Sequence, residues 1–130
     1  MKPVFITVEQ VLAIQKEQLG RDGGLAGVRD WNLLDSAAMQ ARMTFDRAYL
    51  HDDLFLMAAA YLFHLVKNHP FIDANKRVGL VTALLFLEIN GFVVADPAGI
   101  LYDTTIAVAE GQLGKDGLAA VLRRLAGVEA

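Results

Sequence analysis

The hydrophobic positions along this chain recur at helical spacing almost from end to end. Leucine, alanine and methionine predominate in the apolar stretches, and no segment shows the sustained apolar-polar alternation that is typical of a strand. The pattern predicts an all-α protein. No repeat or linker divides the chain, and its 130 residues are enough for one compact domain but few for two. We therefore expect residues 1–130 to form a single domain.

The first two predicted helices begin at residues that commonly cap helices. A helix from about Val8 to Leu19 has Thr7 as its N-cap, and Gln10 stands where it completes a capping box. Asp30 is placed to cap a second helix, which is expected to extend to about Met43. Both segments have apolar residues at spacings that allow one face to pack.

The two most apolar stretches predict the central helices of the domain. Asp52 or Asp53 can cap a third helix that runs through about Asn68, and Pro70 then blocks its continuation. A fourth helix is expected over Lys76–Asn90, directly after the loop that contains this proline. We expect the two helices to form a central antiparallel pair.

The remaining helix boundaries are predicted from asparagine, aspartate and glycine. Asn75 is a good N-cap for the fourth helix, and Gly91 stands where a helix commonly ends. Asp103 can begin a fifth helix that reaches residue 113, and Asp116 can begin a short sixth helix through residue 124. The sequence thus predicts about six helices around the central pair.

Composition and charge argue against several classes of function. The chain has no cysteine, which removes disulfides, a thiolate nucleophile and a cysteine zinc site, and which suits a reducing cytoplasm. Its formal net charge of −3 leaves no broad basic face for nucleic acid. The apolar stretches are shorter than the roughly 20 residues of a membrane span, and the N-terminus does not read as a secretory signal. We expect a cytoplasmic protein that binds neither membrane nor nucleic acid.

The segment His69–Arg77, which reads HPFIDANKR, concentrates the candidate chemistry of the chain. At the start of a helix, free backbone N–H groups and the positive end of the macrodipole form a site for anions. Lys76 and Arg77 lie in this first turn, where cations are unfavourable unless something negative compensates them. A polyphosphate would do so, because arginine binds its oxygens bidentately and lysine acts as a point charge.

Two further residues of the segment supply a metal ligand and a base. Asp73 is a hard oxygen ligand that suits the magnesium ion accompanying nucleotides. His69 is available as a general base toward a hydroxyl, and the set indicates phosphoryl or nucleotidyl transfer. Lys67 is a further candidate for phosphate binding, although a surface lysine whose stem lies along the protein explains it as well. A zinc hydrolase lacks a convincing third ligand.

The segment resembles the signature loop of the Fic/Doc family, His-x-Phe-x-(Asp/Glu)-(Gly/Ala)-Asn-(Gly/Lys)-Arg, and every defined position is filled. The form Ala74-Asn75-Lys76-Arg77 is similar to the Doc (death on curing) toxins, whereas adenylylating Fic enzymes usually carry Gly-Asn-Gly-Arg. The turn Gly23–Gly27 and the segment Leu33–Ala37 also resemble this branch. The resemblance spans most of the chain, but its diagnostic part is the loop and the two helices beside it.

The resemblance implies an all-α Fic fold and a role for each loop residue. His69 would be the base that activates a target hydroxyl, and Asp73 would bind Mg²⁺. Asn75, Lys76 and Arg77 would surround the phosphates of ATP. Among these residues His69, Asp73, Lys76 and Arg77 would be the catalytic ones.

For the Doc branch, the resemblance implies a protein kinase. Lys76 would narrow the space that glycine leaves in Fic enzymes, so that ATP binds inverted and presents its γ-phosphate. The implied target is a threonine of elongation factor Tu, and the implied result is arrested translation. The implied inhibitor is a Phd-like antitoxin with a disordered tail. An internal inhibitory helix is not expected, because its motif needs a hydroxyl four residues before Glu110, where Ile106 stands.

Three other interpretations of the same residues stay open. The nearest is a Fic-type transferase of AMP onto a protein hydroxyl, and another is a catalytically silent binding module. The loop could also be mere helix punctuation, although the complete motif argues against this. The surface between Met43 and Asp53 is expected to influence which acceptor reaches His69, whereas the sequence gives no role for Trp31.

Overall fold

The described part of the chain folds into six helices and one short hairpin. This computed structural model describes residues 2–128. The elements in chain order are α1 (Val8–Asp22), α2 (Trp31–Gln40), β1 (Thr44–Phe45), β2 (Ala48–Tyr49), α3 (Leu54–Asn68), α4 (Asn75–Ile89), α5 (Ile100–Ala109) and α6 (Lys115–Leu125). The predicted all-α class and the number of helices are confirmed.

The helices α3 and α4 form the centre of the fold. They pack extensively against each other, α2 and α6 cover α3, α1 lies against α4, and α5 contacts both α3 and α4. Gly79 allows the close approach of the pair, because a Cβ atom there would lie 3.0 Å from Val66 Cγ2 and 3.3 Å from the carbonyl oxygen of Leu62. Within residues 2–128, no helix has both the length and the apolar character to cross a membrane.

The predicted caps of the first three helices are present. Thr7 and Gln10 bond each other's backbone N–H groups in a capping box at the start of α1. Asp30 caps α2 and Asp53 caps α3, each by accepting from the backbone N–H three residues further on. The open choice between Asp52 and Asp53 is therefore decided for Asp53.

The predicted N-cap of α4 was wrong. Asn75 is the first residue of the helix, and the N-cap position is held by Ala74 in the left-handed conformation with φ of 70°. The side chain of Asn75 does not cap the helix, because its amide is hydrogen bonded to the backbone of Phe71 instead. The helix therefore begins without a side-chain cap.

The last two helices also begin earlier than predicted. α5 starts at Ile100 rather than at Asp103, because Asp96 accepts hydrogen bonds from the N–H groups of the first two residues of α5, at 2.8 and 3.0 Å. α6 begins at Lys115, one residue before Asp116. Asp96 binds N–H groups four and five residues further along the chain. A side chain at the N-cap position binds the N–H two or three residues further on, so the usual capping pattern does not identify Asp96.

The hairpin is the one element that the sequence did not predict. β1 and β2 pair antiparallel, with Thr44 opposite Tyr49, and they are joined by Asp46 and Arg47, which both have positive φ angles. This is the geometry that two-residue hairpin turns prefer. The second helix ends at Gln40, three residues before its expected end near Met43. Strands of two residues are too short to produce a detectable alternation.

A buried tyrosine hydroxyl fixes the N-terminal segment to the core. The side chain of Tyr61 is fully buried, and its hydroxyl accepts from the N–H of Ile6 at 2.8 Å and donates to the carbonyl of Ile6 at 3.1 Å. Burial raises the pKa of Tyr61 to about 12. The hydroxyl therefore stays protonated and satisfies both backbone groups of one residue.

We expect Tyr61→Phe to destabilise the protein by about 1–3 kcal/mol, because it leaves two buried backbone groups without a partner. Denaturant unfolding would measure this loss of the free energy of unfolding. Tyr102→Phe is the control, since Tyr102 is 73% exposed and its hydroxyl can bond water. Equal stability of the two variants would contradict the assigned role.

Two histidines converge on one lysine beside α3. The Nζ atom of Lys115 lies 3.1 Å from Nε2 of His51 and 3.1 Å from Nε2 of His64. Burial, Lys115 and His51 together lower the pKa of His64 to about 4. Burial and Lys115 also lower the pKa of His51, and the backbone of Gln40 and the charge of Asp52 partly offset this decrease. Both histidines are therefore neutral in the folded protein near neutral pH.

This cluster predicts a loss of stability in mild acid. Between pH 6.5 and about 4 the unfolded chain binds a proton at His64 that the folded chain does not, so the free energy of unfolding falls as the pH falls. We expect His64→Gln, which keeps an acceptor for Lys115, to remove on the order of 1–3 kcal/mol of that decrease. Denaturant unfolding across this range would measure it. If the dependence of the free energy of unfolding on pH is the same in His64→Gln as in the wild type, the prediction is contradicted. His69→Gln is the control, because His69 is exposed.

Candidate active site

A cavity of about 350 Å³ lies where the loop between α3 and α4 meets the first turn of α4 and one face of α5. The loop and α4 contribute most of its polar lining, namely His69, Asp73, Asn75, Lys76 and Arg77, and α5 adds Thr105. The apolar part of the lining comes from the loop, α4 and α5, and consists of Ile72, Ala74, Leu80, Tyr102 and Ile106. The structure thus brings together five of the six residues that the sequence predicted for the site.

Lys67 is the predicted residue that does not border the cavity. Its Nζ atom lies 3.5 Å from the carbonyl oxygen of Ala109, at the C-terminal end of α5. A cation at this end of a helix interacts favourably with the unpaired carbonyls and the dipole. The geometry accounts for Lys67 as a contact between α3 and α5.

The loop is anchored by a buried aromatic ring and closed by one side chain. Phe71 is fully buried. The amide of Asn75 accepts from the N–H of Phe71 at 2.9 Å and donates to its carbonyl at 3.0 Å. His69 and Ala74, at the two ends of the loop, both adopt left-handed backbone angles. Such angles are uncommon outside glycine, so the hydrogen bonds of the loop must hold them.

The N-terminus of α4 is open toward ligands. No side chain caps this helix, and the N–H groups of its first residues have no acceptor within the helix. The first turn contains Lys76 and Arg77 and no acidic residue. Unpaired N–H groups, the macrodipole and two cations therefore act together at the cavity and favour an anionic ligand.

Asp73 is held by the backbone on both of its oxygens. Oδ2 accepts from the N–H of Leu25 at 3.1 Å, and Oδ1 accepts from the N–H of Ala74 at 2.8 Å. These two hydrogen bonds, followed by the nearby charges of Arg77 and His69, lower the pKa of Asp73. The carboxylate is therefore ionised at neutral pH.

A single ionised carboxylate of this kind fits Mg²⁺, which usually takes one or two carboxylates together with phosphate and water oxygens. Among residues 2–128 there is no group of three or more histidine, aspartate or glutamate side chains that could hold a metal ion. A metal ion at Asp73 would therefore depend on ligand and water oxygens for its remaining coordination.

Arg77 joins the cavity to the end of α1. Nη1 donates to the carbonyl of Gln18 at 3.1 Å, Nη2 donates to the carbonyl of Gly23 at 3.0 Å, and Nη1 lies 3.9 Å from Asp22. Guanidinium has five N–H donors, so these contacts leave others for a ligand. Gly24 must be glycine next to this pair. With φ of 127°, its added Cβ atom would lie 2.9 Å from Oδ2 of Asp73.

The turn between α1 and α2 also contacts the first residues of the loop. The side chain of Arg29 donates to the carbonyl of His69, and the backbone N–H groups of Arg29 and Asp30 both donate to the carbonyl of Pro70. Arg29 was not predicted from the sequence, because no motif or spacing marks it. Tyr102 was not predicted either, because it lies far from the motif in the sequence.

The arrangement combines an exposed histidine, an ionised carboxylate, two cations and a helix N-terminus with apolar side chains. Imidazole can act as a general base toward a hydroxyl that enters the cavity. The cations and the helix N-terminus can stabilise negative charge on the same ligand. The apolar lining from α5 suits a ligand that also carries a flat or apolar group.

Comparisons with known proteins agree on one family. The sequence profile of the Fic/DOC family matches residues 5–87, which include the whole loop. The chain is 37% identical over 124 residues to the protein kinase doc of Escherichia phage P1, over 94% of this chain and 95% of that protein. It is 40% identical over 73 residues to the toxin Doc of Mycolicibacterium smegmatis, over 56% of each chain. The chain therefore belongs to the Fic/DOC family.

Proposed function

We propose that this protein is a Doc-type toxin that transfers the γ-phosphoryl group of ATP to a threonine or serine hydroxyl of elongation factor Tu and thereby arrests translation. The observation that carries the proposal is the cavity in which His69 lies beside the uncapped N-terminus of α4. The names of the two similar proteins, a protein kinase and a toxin, support the same reaction class.

ATP suits both parts of the cavity lining. Its phosphates would be bound by the free N–H groups of α4 and by Lys76 and Arg77. Its base would lie against the apolar side chains, among which Tyr102 is aromatic and largely exposed. Asp73 would hold the Mg²⁺ that accompanies ATP, and this ion would neutralise charge on the transferred phosphoryl group.

In the proposed reaction His69 takes the proton of the acceptor hydroxyl. The hydroxyl oxygen forms a bond to the γ-phosphorus, the bond from that phosphorus to the bridging oxygen breaks, and ADP leaves. A positioned base of this type contributes roughly 10²–10⁴ in rate. Lys76 and Arg77 would stabilise the charge that develops on the phosphoryl oxygens.

Lys76 is the residue on which the choice of phosphate depends. It is an exposed side chain in the first turn of α4 and borders the cavity. A lysine at this position takes space and adds a charge where Fic enzymes have glycine, which favours the inverted ATP. If the nucleotide binds the other way, the α-phosphorus is attacked, pyrophosphate leaves and AMP is transferred.

We also propose that a Phd-like antitoxin inhibits the enzyme by binding it. The position that an internal inhibitory helix would need for its hydroxyl is occupied by Ile106, whose side chain lines the cavity. Several large apolar side chains are exposed and available to such a peptide, among them Leu25, Trp31, Phe45 and Val93. A disordered peptide that folds on the toxin would bury those of these side chains that it contacts.

The reaction is tested by incubating the protein with elongation factor Tu, Mg²⁺ and ATP and by weighing the intact factor in a mass spectrometer. We expect a gain of one phosphate, which is lost in His69→Ala while ATP still binds, because the base acts in the chemical step. A gain of one AMP would replace the kinase with a nucleotidyl transferase. An unmodified factor would contradict the proposed target, and autoradiography of a lysate with labelled ATP would then test the activity itself.

The base-binding role of Tyr102 is tested by Tyr102→Ala and Tyr102→Phe. We expect the alanine variant to bind ATP about 3- to 10-fold more weakly, because it loses an aromatic contact worth roughly 0.5–1.5 kcal/mol. The phenylalanine variant should bind like the wild type. Calorimetric titration with ATP would measure both. Binding of inorganic triphosphate is the control, since a ligand without a base should not distinguish the variants.

A further inference from the structure

The side chain of Arg29 binds the backbone of His69, the candidate base. Its Nε atom donates to the carbonyl oxygen of His69 at 2.7 Å, and its Nη2 atom donates to the carbonyl oxygen of Asn68 at 2.9 Å. These carbonyls lie at the C-terminal end of α3, where helix carbonyls have no partner within the helix. One planar guanidinium therefore binds two consecutive peptide groups.

The backbone of His69 needs such support. His69 is the C-cap of α3, with φ of 51° and ψ of 53°. A residue other than glycine held in this region costs of order 1 kcal/mol or more, and it stays there only when the surroundings fix it. Pro70 follows directly, and the residue before a proline is ordinarily biased toward extended angles. The native conformation of His69 thus opposes its local preference.

The neighbouring backbone contacts bind peptide groups that come after His69. The N–H groups of Arg29 and Asp30 bind the carbonyl of Pro70, and the N–H of Ile72 binds the carbonyl of Gly27. These bonds hold the loop after His69. The guanidinium of Arg29 is the group that binds the carbonyl of His69 itself.

We propose that Arg29 is a positioning residue for His69. Its guanidinium keeps the His69 backbone in the left-handed conformation, and this conformation sets the direction in which the imidazole leaves the chain at the edge of the cavity. The proposal rests on the proposed role of His69 as the base. It adds a residue outside the signature loop on which the chemical step depends.

The test compares Arg29→Gln and Arg29→Lys with Asn68→Ala. Arg29→Gln removes the charge and the guanidinium that binds both carbonyls, whereas Arg29→Lys keeps a charged donor for one carbonyl. Asn68→Ala removes the bond from Asn68 Nδ2 to the carbonyl of Leu33 at 3.1 Å. It loosens the same junction between α2 and α3, but it leaves the backbone carbonyls that Arg29 binds. It is therefore the matched control for simple destabilisation.

The first measurement is the single-turnover rate of transfer at saturating ATP, together with the dissociation constant of ATP. A small displacement of a catalytic group can cost on the order of 10²-fold in rate. We expect Arg29→Gln to lower the rate by about 10- to 100-fold while ATP affinity stays near that of the wild type. Arg29→Lys should recover part of the rate, and Asn68→Ala should retain it.

The second measurement is the NMR order parameter of the His69 amide, which does not depend on any activity. We expect a value near that of rigid backbone, about 0.85, in the wild type and in Asn68→Ala, and a value below about 0.6 in Arg29→Gln. If the wild type transfers nothing to elongation factor Tu, the proposed function fails, and the order parameter still decides whether Arg29 fixes His69. An unchanged order parameter in Arg29→Gln would overturn the proposal, as would an equal loss of rate in Asn68→Ala.

Discussion

The geometry of the whole site depends on how one short loop turns the chain between two tightly packed helices. The loop has six residues, from His69 to Ala74, and both of its end residues have left-handed backbone angles. Burial of Phe71 fixes the depth of the loop, and the amide of Asn75 ties the start of α4 to the same residue. Because this amide is occupied, it cannot cap α4. The same bonds that close the loop therefore leave the helix N-terminus free for an anion.

The turn between α1 and α2 holds two side chains of the cavity, Asp73 and Arg77. Its backbone binds Asp73 through the N–H of Leu25 and Arg77 through the carbonyl of Gly23. The cations Lys76 and Arg77 in the first turn of α4 repel each other, and the positive end of the helix dipole disfavours both. The hydrogen bonds from Arg77 to the carbonyls at the end of α1 partly compensate this repulsion. The site therefore lies where the α1–α2 turn, the loop and the first turn of α4 meet, and α5 adds apolar side chains that suit a flat or apolar part of a ligand.

Most helices and most residues of the site could be predicted from the sequence, because helix caps and the loop motif are local sequence patterns. Caps such as Asp30 and Asp53 act within one helical turn, and the loop chemistry is contained in nine consecutive residues. The errors share a different cause. Asn75 has the right identity for a cap, but a tertiary bond takes its side chain. Arg29 acts on a loop 40 residues away, and such distant pairs leave no periodicity in a single sequence.

The supporting contacts around the cavity have a common chemical character that bears on how freely this family can change its sequence. The hydrogen bonds of Asp73, Asn75, Arg77 and Arg29 all end on main-chain N–H or carbonyl groups. A main-chain group is present whatever side chain the residue carries. Positions such as Gln18 and Leu25 can therefore vary without removing these hydrogen bonds, as long as the backbone path is kept. A site built in this way can persist while most of the surrounding sequence diverges.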